Sequence, residues 1–421
     1  MQHSNPKLSK YKLPVAAILA AALGYFVDVY DLLLFSIIRV PSLRSLGLNS
    51  GSVTQEGIYL LNLQMTGLMV GGVLWGILGD RKGRLTVLFG SILIYSLANI
   101  ANGFVHSTEA YAVCRFIAGF GLAGELGAGV TLVAELMPSR NRGYATCFVA
   151  VVGISGAVAA FFTAKLFDWR ISYVVGGALG IALLLMRISV AESALFLQAT
   201  KTNVKRGNIM MIIGNKDRLR KYCRCIMIGL PLWFVVGVLI SLSPEFGKAF
   251  RINGVVNAGT AVALCYGGSV LGGTLSGLAS QLLQSRVKAA VAFTLLSAGS
   301  VVAFFLMQNA SLAAFYVVTL FMGISSGYWA LFITMVTEQF GTNVRATVST
   351  TVPNFVRGAV VPMMLLLNFF TTFLSSMVVA AIIVGILCFG VALWSLTKVK
   401  DTFYLDLDYL ENDLHEIRES K

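Results

Sequence analysis

The chain has 421 residues, of which 57% are hydrophobic and 12% are charged, and its mean hydropathy is +0.80. A soluble domain carries about 25% charged residues, so the composition excludes an ordinary soluble protein. The formal net charge of +13 does not indicate nucleic-acid binding. The basic residues lie in short segments between apolar runs, as the positive-inside rule predicts for cytoplasmic loops.

Apolar runs of about 20 residues recur along nearly the whole chain, which is typical of transmembrane helices. The first run begins at Pro14 and lacks a small-residue cleavage pattern, so we expect it to be retained. The basic connections predict a multi-pass protein of the cell (inner) membrane with both termini in the cytoplasm. The predicted spans are 14–38, 57–78, 86–104, 110–136, 143–164, 170–190, 224–243, 255–282, 287–307, 312–337, 346–371 and 375–397.

The two halves of the chain carry a repeat. Glu135 precedes Arg142 by seven residues, as Glu338 precedes Arg345, and a Gly-Gly-x-x-x-Gly motif also occurs twice. The offsets, 203 and 201 residues, nearly agree, and such internal repeats are a transporter architecture. We predict an all-α membrane protein with twelve transmembrane helices in two pseudo-symmetric six-helix halves. The predicted units are the first half at 1–190, a cytoplasmic linker at 191–223, the second half at 224–397 and a cytoplasmic, helical tail at 398–421.

The connection after span 2 carries a charged motif, Gly76-Ile-Leu-Gly79-Asp80-Arg81-Lys82-Gly83-Arg84. Its glycines permit close helix approach, and its charges can form an ion-pair latch at the cytoplasmic mouth. The motif resembles G-x-L-x-D-R-x-G-R, found between spans 2 and 3 of major facilitator superfamily transporters. The resemblance covers essentially the whole chain and implies a transporter that alternates between two states. The expected cytoplasmic gate consists of Asp80, Arg81, Arg84, Glu135, Arg142, Glu338 and Arg345.

Span 4 places Arg115 and Glu125 well inside an apolar run. Ionisable groups in hydrocarbon cost a few kcal/mol each, so they normally face a cavity or a partner. The pattern around them, with Gly119, Gly124 and Gly127, resembles span 4 of the metabolite:proton symporter branch. That resemblance implies carboxylates, aromatic acids, betaines or related small solutes as substrates.

Three acids are candidates for proton coupling, namely Asp28, Asp31 and Glu125. The two aspartates share a face of span 1 because they are three residues apart. Asp31 and Arg115 lie at similar depths, so they can meet either as a structural ion pair or as a protonation site. Glu125 has no basic neighbour in its own helix, which favours a protonatable role.

The second half has one deep charge, Arg357 in span 11, close to Pro353. Arg115 and Arg357 would clamp an anion from opposite halves by charge-assisted hydrogen bonds. In the competing view, Arg357 pairs with Asp28 or Glu125 across the halves. The predicted substrate-binding residues are Arg115, Arg357, Tyr25, Tyr30, Asn354, Trp233, Tyr328 and Trp329.

The resulting hypothesis is proton-coupled symport of a small anionic or zwitterionic metabolite by alternating access. The alternative is a proton-antiport exporter of a metabolite, a siderophore-like compound or an amphipathic drug. A drug exporter should tolerate the loss of Arg357, because hydrophobic substrates need no anion clamp. The repeat and the latch argue against a non-transporting receptor or channel. The sequence has no nucleotide-binding glycine loop, metal-ligand cluster or catalytic-triad spacing, so neither an enzyme nor a cofactor or metal is expected. Expected partners are the substrate, protons and the lipid bilayer, without nucleic acid, and the chain should act as a monomer.

Overall fold

The computed structural model describes residues 15–49, 52–137, 139–187, 207, 209–405 and 411, with residues 16 and 139–143 described by their backbone. Within this part of the chain, twelve helices are long and apolar enough to cross a membrane, which confirms the predicted fold class. We number them spans 1 to 12: Ala17–Ser45, Val53–Lys82, Arg84–Asn102, Thr108–Leu136, Tyr144–Leu166, Trp169–Met186, Lys216–Ile240, Ala258–Leu282, Arg286–Phe305, Leu312–Glu338, Arg345–Leu374 and Met377–Leu396.

Four spans are broken, and the breaks repeat between the halves. Span 4 breaks at Ala123 and span 10 at Gly327, while spans 5 and 11 break at Ser155 and Ala359. Both pairs of breaks are 204 residues apart, close to the offsets of the sequence repeat. The helical pieces are Thr108–Leu122 and Glu125–Leu136, Ser139–Ile154 and Gly156–Leu166, Leu312–Ser326 and Trp329–Glu338, and Arg345–Gly358 and Val360–Leu374.

Span 7 begins at Lys216, eight residues before its predicted start. The side chain of Asn215 accepts hydrogen bonds from the backbone N–H groups of Asp217 and Arg218 and so caps the helix. The basic first turns extend the helix beyond its apolar part, which a hydropathy pattern does not detect. Most of the predicted linker, and the predicted tail helix, lie outside the described residues.

Span 7 also changes helix type along its length. Lys216–Trp233 is an α-helix, and Phe234–Ile240 is a π-helix. Pro231 lies just before the change, and a proline cannot donate the backbone hydrogen bond of a regular helix. π segments are frequent at functional sites, and this one carries Val236 into the wall of the central cavity.

The two halves meet closely along spans 2 and 11. A Cβ atom at Gly76 would lie 2.9 Å from Thr347 Cα, and one at Gly72 would lie 3.0 Å from Asn354 Cβ. Small residues allow membrane helices to approach to backbone contact, which gains packing energy where lipid provides no hydrophobic drive. The glycines of the repeated motif therefore form part of the interface between the halves.

Candidate functional site

A cavity with about 420 Å³ of unfilled space lies between the two halves. Spans 1 and 5 contribute its walls from the first half, and spans 7, 8, 10 and 11 contribute them from the second. Four of the predicted substrate residues line it, namely Tyr25, Trp233, Trp329 and Arg357. Polar wall residues that the sequence analysis did not single out are Tyr266, Ser269 and Ser326.

Arg357 is the charged side chain in the cavity wall. Its Nη2 atom donates to Asp28 Oδ2 of the first half at 3.2 Å. Its guanidinium carbon lies 6.0 Å from the ring centre of Trp233 and 5.8 Å from that of Trp329. The Trp329 indole N–H in turn donates to the Tyr25 hydroxyl at 2.7 Å. The Arg357 Nη1 atom donates to Asn354 Oδ1 at 3.5 Å. The cation is therefore held by two indole rings, one carboxylate and one amide oxygen, with its Nε free of hydrogen bonds to the described residues.

The predicted clamp of Arg115 and Arg357 is not formed, which corrects the sequence-based expectation. Arg115 lies inside the first half, with its guanidinium carbon 5.3 Å from the ring centre of Phe35 and 5.4 Å from that of Tyr173. A similar depth along two spans does not fix the direction in which a side chain points. Arg115 points into its own six-helix half and away from the cavity wall.

The other predicted substrate residues also lie outside the wall. The Tyr30 hydroxyl donates to the Ser172 carbonyl at 2.9 Å within the first half. The Asn354 amide donates to the Ala123 carbonyl at 2.8 Å and so links span 11 to the break in span 4. Tyr328 is fully buried at the break in span 10. Tyr30 and Asn354 thus have structural contacts in this conformation.

Glu125 has a basic partner that its own helix does not provide. Arg187, at the end of span 6, donates from both terminal nitrogens to the two Glu125 carboxylate oxygens at 2.8 Å. Ser91 donates a further bond to Glu125 at 3.2 Å. Gly24 of span 1 leaves room for the pair, because a Cβ atom there would lie 1.8 Å from Arg187 Nη2. An arginine inside the apolar run of span 6 was the available sequence signal.

Asp31 has a different environment from Asp28 and Glu125. Neither of its carboxylate oxygens has a hydrogen-bond partner among the described residues, although the side chain is fully buried. Arg115 is the positive charge that acts on it most strongly, and Asn99 is a neighbouring amide. All three nitrogens of the Arg115 guanidinium likewise lack hydrogen-bond partners within the described part of the chain. The two charges are close without forming a direct ion pair.

The charged motif after span 2 forms a buried contact across the halves. Asp80 accepts hydrogen bonds from the backbone N–H of Ala346 at 3.0 Å and of Thr347 at 2.8 Å, and from the Thr347 hydroxyl at 2.6 Å. The carboxylate therefore caps the N-terminus of span 11, where the helix dipole favours negative charge. We call the end of the molecule that holds this contact the latch side and the other end the opposite side.

Three further predicted gate residues extend this contact. Arg84 donates to Glu135 at 2.8 Å and pairs with Asp80 at 3.2 Å, and Arg345 of the second half contacts Glu135 at 3.4 Å. All four side chains are buried. Arg81 is exposed, and the side chain of Arg142 lies outside the described part of the structure.

The third acid of the predicted gate, Glu338, contacts its own half. Arg286 donates to both Glu338 oxygens at 3.3 Å, and the Thr402 hydroxyl donates to Glu338 at 2.7 Å. Asp401 accepts hydrogen bonds from the Ser285 hydroxyl and the Arg286 backbone N–H, at the start of span 9. In the second half, an acid from the segment after span 12 thus lies at the connection between spans 8 and 9.

On the opposite side, one ion pair joins the halves within the described residues. Arg39, near the end of span 1, donates to Glu245 at 3.0 Å. Glu245 lies in the short helix Ser243–Ala249, which follows span 7. A depression with about 980 Å³ of unfilled space adjoins this pair, and Thr54, Asn62 and Glu245 line part of it.

Two six-helix halves around a central cavity define the fold of a membrane transporter, and solved structures agree. A structure titled as the proton:xylose symporter XylE superposes with a TM-score of 0.75 at 16% identity, covering 98% of this chain and 100% of that one. At this identity the likeness shows the fold alone. A family model described as the Major Facilitator Superfamily matches residues 21–357. The chain therefore belongs to the Major Facilitator Superfamily.

Curated relatives match over shorter stretches. The niacin transporter NiaP of Acinetobacter baylyi is 31% identical over 191 residues, which cover 44% of this chain and 41% of the relative. A probable 4-methylmuconolactone transporter of Cupriavidus pinatubonensis is 27% identical over 223 residues, covering 51% and 50%. The chain thus spans about half the length of these relatives or less.

Proposed function

We propose that this chain is a secondary active transporter that moves a small anionic or zwitterionic metabolite together with protons by alternating access. The observation that carries the proposal is the position of Arg357 in the cavity between the halves, between Trp233 and Trp329. A guanidinium offers donors in a planar fork that matches a carboxylate, and indole faces suit a flat or apolar substrate body. The names of the matched relatives, which include niacin, agree with such a substrate.

Asp28 acts as an internal counterion in this scheme. It contacts Arg357 through one oxygen at 3.2 Å, and its Oδ1 atom has no hydrogen-bond partner among the described residues. A substrate carboxylate competes with Asp28 for Arg357 and releases Asp28 from the ion pair. An amphipathic cation would instead meet Arg357 as a repelling charge, so the geometry favours symport of an anion over export of a cationic drug.

Asp31 carries the proton, and the positive charge of Arg115 acts on the Asp31 carboxylate. An ionised carboxylate that is buried without hydrogen bonds is costly, so the neutral form is favoured in the conformation described here. Glu125 is less suited to this role because two bonds from Arg187 hold its carboxylate. We propose that the protein lies in a cell membrane with its latch side facing the cytoplasm. The proposed units are the halves at 1–190 and 224–397, the linker at 191–223 and the tail at 398–421.

Uptake into proteoliposomes tests the proposal. A thermal-shift screen of carboxylates, with niacin as the first probe, selects the compound for transport. Acidifying the opposite side should drive its accumulation, and Arg357→Ala should raise the apparent KM at least tenfold, because one charge-assisted contact contributes about 1.5–3 kcal/mol. Lys165→Ala, at an exposed end of span 5, is the control. Expulsion of the probe against protons would instead establish the exporter alternative.

A comparison of two acids tests the proton site. Asp31→Asn should abolish accumulation driven by the pH gradient while sparing exchange of labelled for unlabelled probe at equal pH. Glu125→Gln should chiefly destabilise the fold, since breaking a buried ion pair costs about 3–5 kcal/mol. Normal accumulation by Asp31→Asn would remove Asp31 from the mechanism.

A further inference from the structure

The first half contains buried polar side chains that lack hydrogen-bond partners among the described residues. Each is 0% exposed, and for the amides and charged groups every side-chain nitrogen and oxygen is unpartnered. Leaving such a group unsatisfied costs about 1–3 kcal/mol, more for a charge, so a concentration of them in one place points to a ligand that the protein itself does not supply. Six of them lie on spans 1, 3 and 4, namely Asp31, Tyr95, Ser96, Asn99, Asn102 and Arg115, and Gln64 lies on span 2.

Four of these side chains lie along span 3. Tyr95, Asn99 and Asn102 follow one another at helical spacing of four and three residues, which places them on one face. Ser91, one turn before Tyr95, continues the face and donates to Glu125. From Ser91 to Asn102 the face is about 16 Å long, at roughly 1.5 Å per residue. Asn102 is the last helical residue of span 3, at its opposite-side end.

Span 6 packs against this face through glycines. A Cβ atom at Gly176 would lie 2.2 Å from Asp31 Oδ1, and one at Gly180 would lie 2.1 Å from Ser96 Oγ. Asp31 thus sits between a glycine of span 6, the Asn99 amide and the charge of Arg115. The glycines let the polar atoms of spans 1 and 3 lie directly beside span 6, where a larger side chain would collide with them.

The latch-side end of the same face is sealed. The bidentate pair of Glu125 and Arg187 occupies it, and Arg187 also donates to the Ala20 carbonyl at 2.9 Å. The uncovered polar atoms therefore lie between this pair and the opposite-side end of span 3. In a conformation whose latch side is closed, that arrangement suits delivery of protons from the opposite side.

We propose that spans 1, 3, 4 and 6 enclose a hydrated proton pathway, separate from the central cavity, in which Asn102 and Asn99 position water that delivers protons to Asp31. The inference rests on the proposed proton coupling and deepens it. A proton passes along the water and forms an O–H bond on the Asp31 carboxylate. On release that bond breaks and the proton returns to water, so nothing is oxidised or reduced.

The equivalent helix of the second half provides a contrast. In span 9 the Thr294 hydroxyl donates to the Ala290 carbonyl at 2.8 Å, and the Ser300 hydroxyl donates to the Ser297 carbonyl at 2.8 Å. The Ser297 hydroxyl lies 3.4 Å from that of Ser326. Polar side chains on span 9 thus satisfy their hydrogen bonds within the protein, which makes them matched controls for those on span 3.

Infrared spectroscopy of the purified protein after mixing with D₂O tests the pathway without any substrate. The carboxylic-acid C=O band of Asp31, identified by its loss in Asp31→Asn, shifts when its proton is replaced by deuterium. Asn99→Leu and Asn102→Leu should each slow this replacement at least tenfold without lowering the unfolding temperature, because leucine removes an unpaired amide. Ser297→Ala should leave the rate unchanged.

The outcomes separate the pathway from the function that it serves. A normal Asp31 band with replacement rates within twofold of wild type in both asparagine variants would overturn the pathway and leave proton coupling intact. Equal slowing by Ser297→Ala would also overturn it, since the effect would then be general. Absence of the band from the wild type would overturn both the pathway and the assignment of the proton to Asp31. Slow replacement in both leucine variants, with a normal control, supports the pathway.

Discussion

The two ends of the interface between the halves are closed by different kinds of contact. On the latch side, Asp80 of one half accepts three hydrogen bonds from Ala346 and Thr347 of the other, and all its partners are buried. On the opposite side, Arg39 and Glu245 form an ion pair in which the Glu245 side chain is 22% exposed. The Asp80 contact is buried and includes two backbone N–H groups, whereas the Arg39–Glu245 pair is partly exposed to solvent.

This difference indicates which end opens first. Charge-assisted hydrogen bonds to buried groups contribute about 1.5–3 kcal/mol, whereas an ion pair that water reaches on one side contributes less, about 0.2–1 kcal/mol at full exposure, and weakens with salt. Separating the halves at the opposite side therefore costs less free energy than separating them at the latch side. We expect the described conformation to exchange with one that is open to the opposite side and closed at the latch.

The largest effect should come from Asp80→Asn. The variant removes the charge that caps span 11, so the ratio of molecules closed at the latch to molecules open there should fall at least tenfold, as expected for the loss of about 1.5–3 kcal/mol. Distances between spin labels on the latch-side ends of the two halves measure this directly. Affinity for the carboxylate probe should stay within twofold. Asp217→Asn, in an exposed pair of the linker region, should reproduce the wild-type distances.

Two glycines allow the same comparison by packing instead of charge. A Cβ atom at Gly76 would lie 3.1 Å from the Thr347 carbonyl oxygen, a backbone atom that cannot move aside alone. At Gly259, on the opposite side, the nearest atoms include the Ile37 and Phe161 side chains at 3.1 and 3.4 Å. Gly76→Ala should therefore open the latch side, with an overpacking cost of about 1–3 kcal/mol, and Gly259→Ala should do much less. Equal label distances in the two variants would contradict this contrast.

Sequence reasoning found the latch because its parts are local. The chain itself shows the order of glycines and charges around Asp80. It also shows the acid–arginine spacing that occurs twice and includes Glu135 in the first copy and Arg345 in the second. What Asp80 binds could not be predicted, since two of its donors are backbone N–H groups and every helix start has those. The spans and the repeat follow from apolar run lengths and offsets, which is why they could be predicted throughout the chain.

The interior of the first half was harder to predict for a physical reason. Depth in a helix gave Arg115 and Asp31 the same level, but rotation about the helix axis decides which cavity a side chain faces. The partner of Glu125 is Arg187, from a helix two spans later, and pairing between helices has no fixed spacing in the sequence. Unpaired amides such as Asn99 have no sequence signal, because an asparagine reads the same with or without a partner.

A smaller effect is expected from Glu245→Gln. Its loss of about 0.2–1 kcal/mol should raise the population open to the opposite side by up to about fivefold, with less effect at high salt. Labels on the opposite-side ends of the halves report it. The double variant Arg39→Glu/Glu245→Arg should return the distances toward those of wild type, since it restores the pair. Failure of the swap, with Glu245→Gln unchanged at low salt, would show that other contacts close this end.

The smallest effect concerns Asp401, which adds a pH-dependent contact to the latch side. Partial burial raises the pKa of Asp401, but hydrogen bonds from the Ser285 hydroxyl and from backbone N–H groups outweigh this and hold the pKa below its usual range. Because the folded-state pKa is lower than the unfolded value of about 3.9, the stabilisation is present above that pH and is lost as pH falls through the folded pKa. Asp401→Asn should therefore lower the unfolding temperature at pH 6 by less than about 2 °C, given that the group is largely exposed. The difference from wild type should shrink as pH falls below about 4 and vanish once pH lies below the folded-state pKa. A difference independent of pH would mean that packing, and not charge, gives the contact its value.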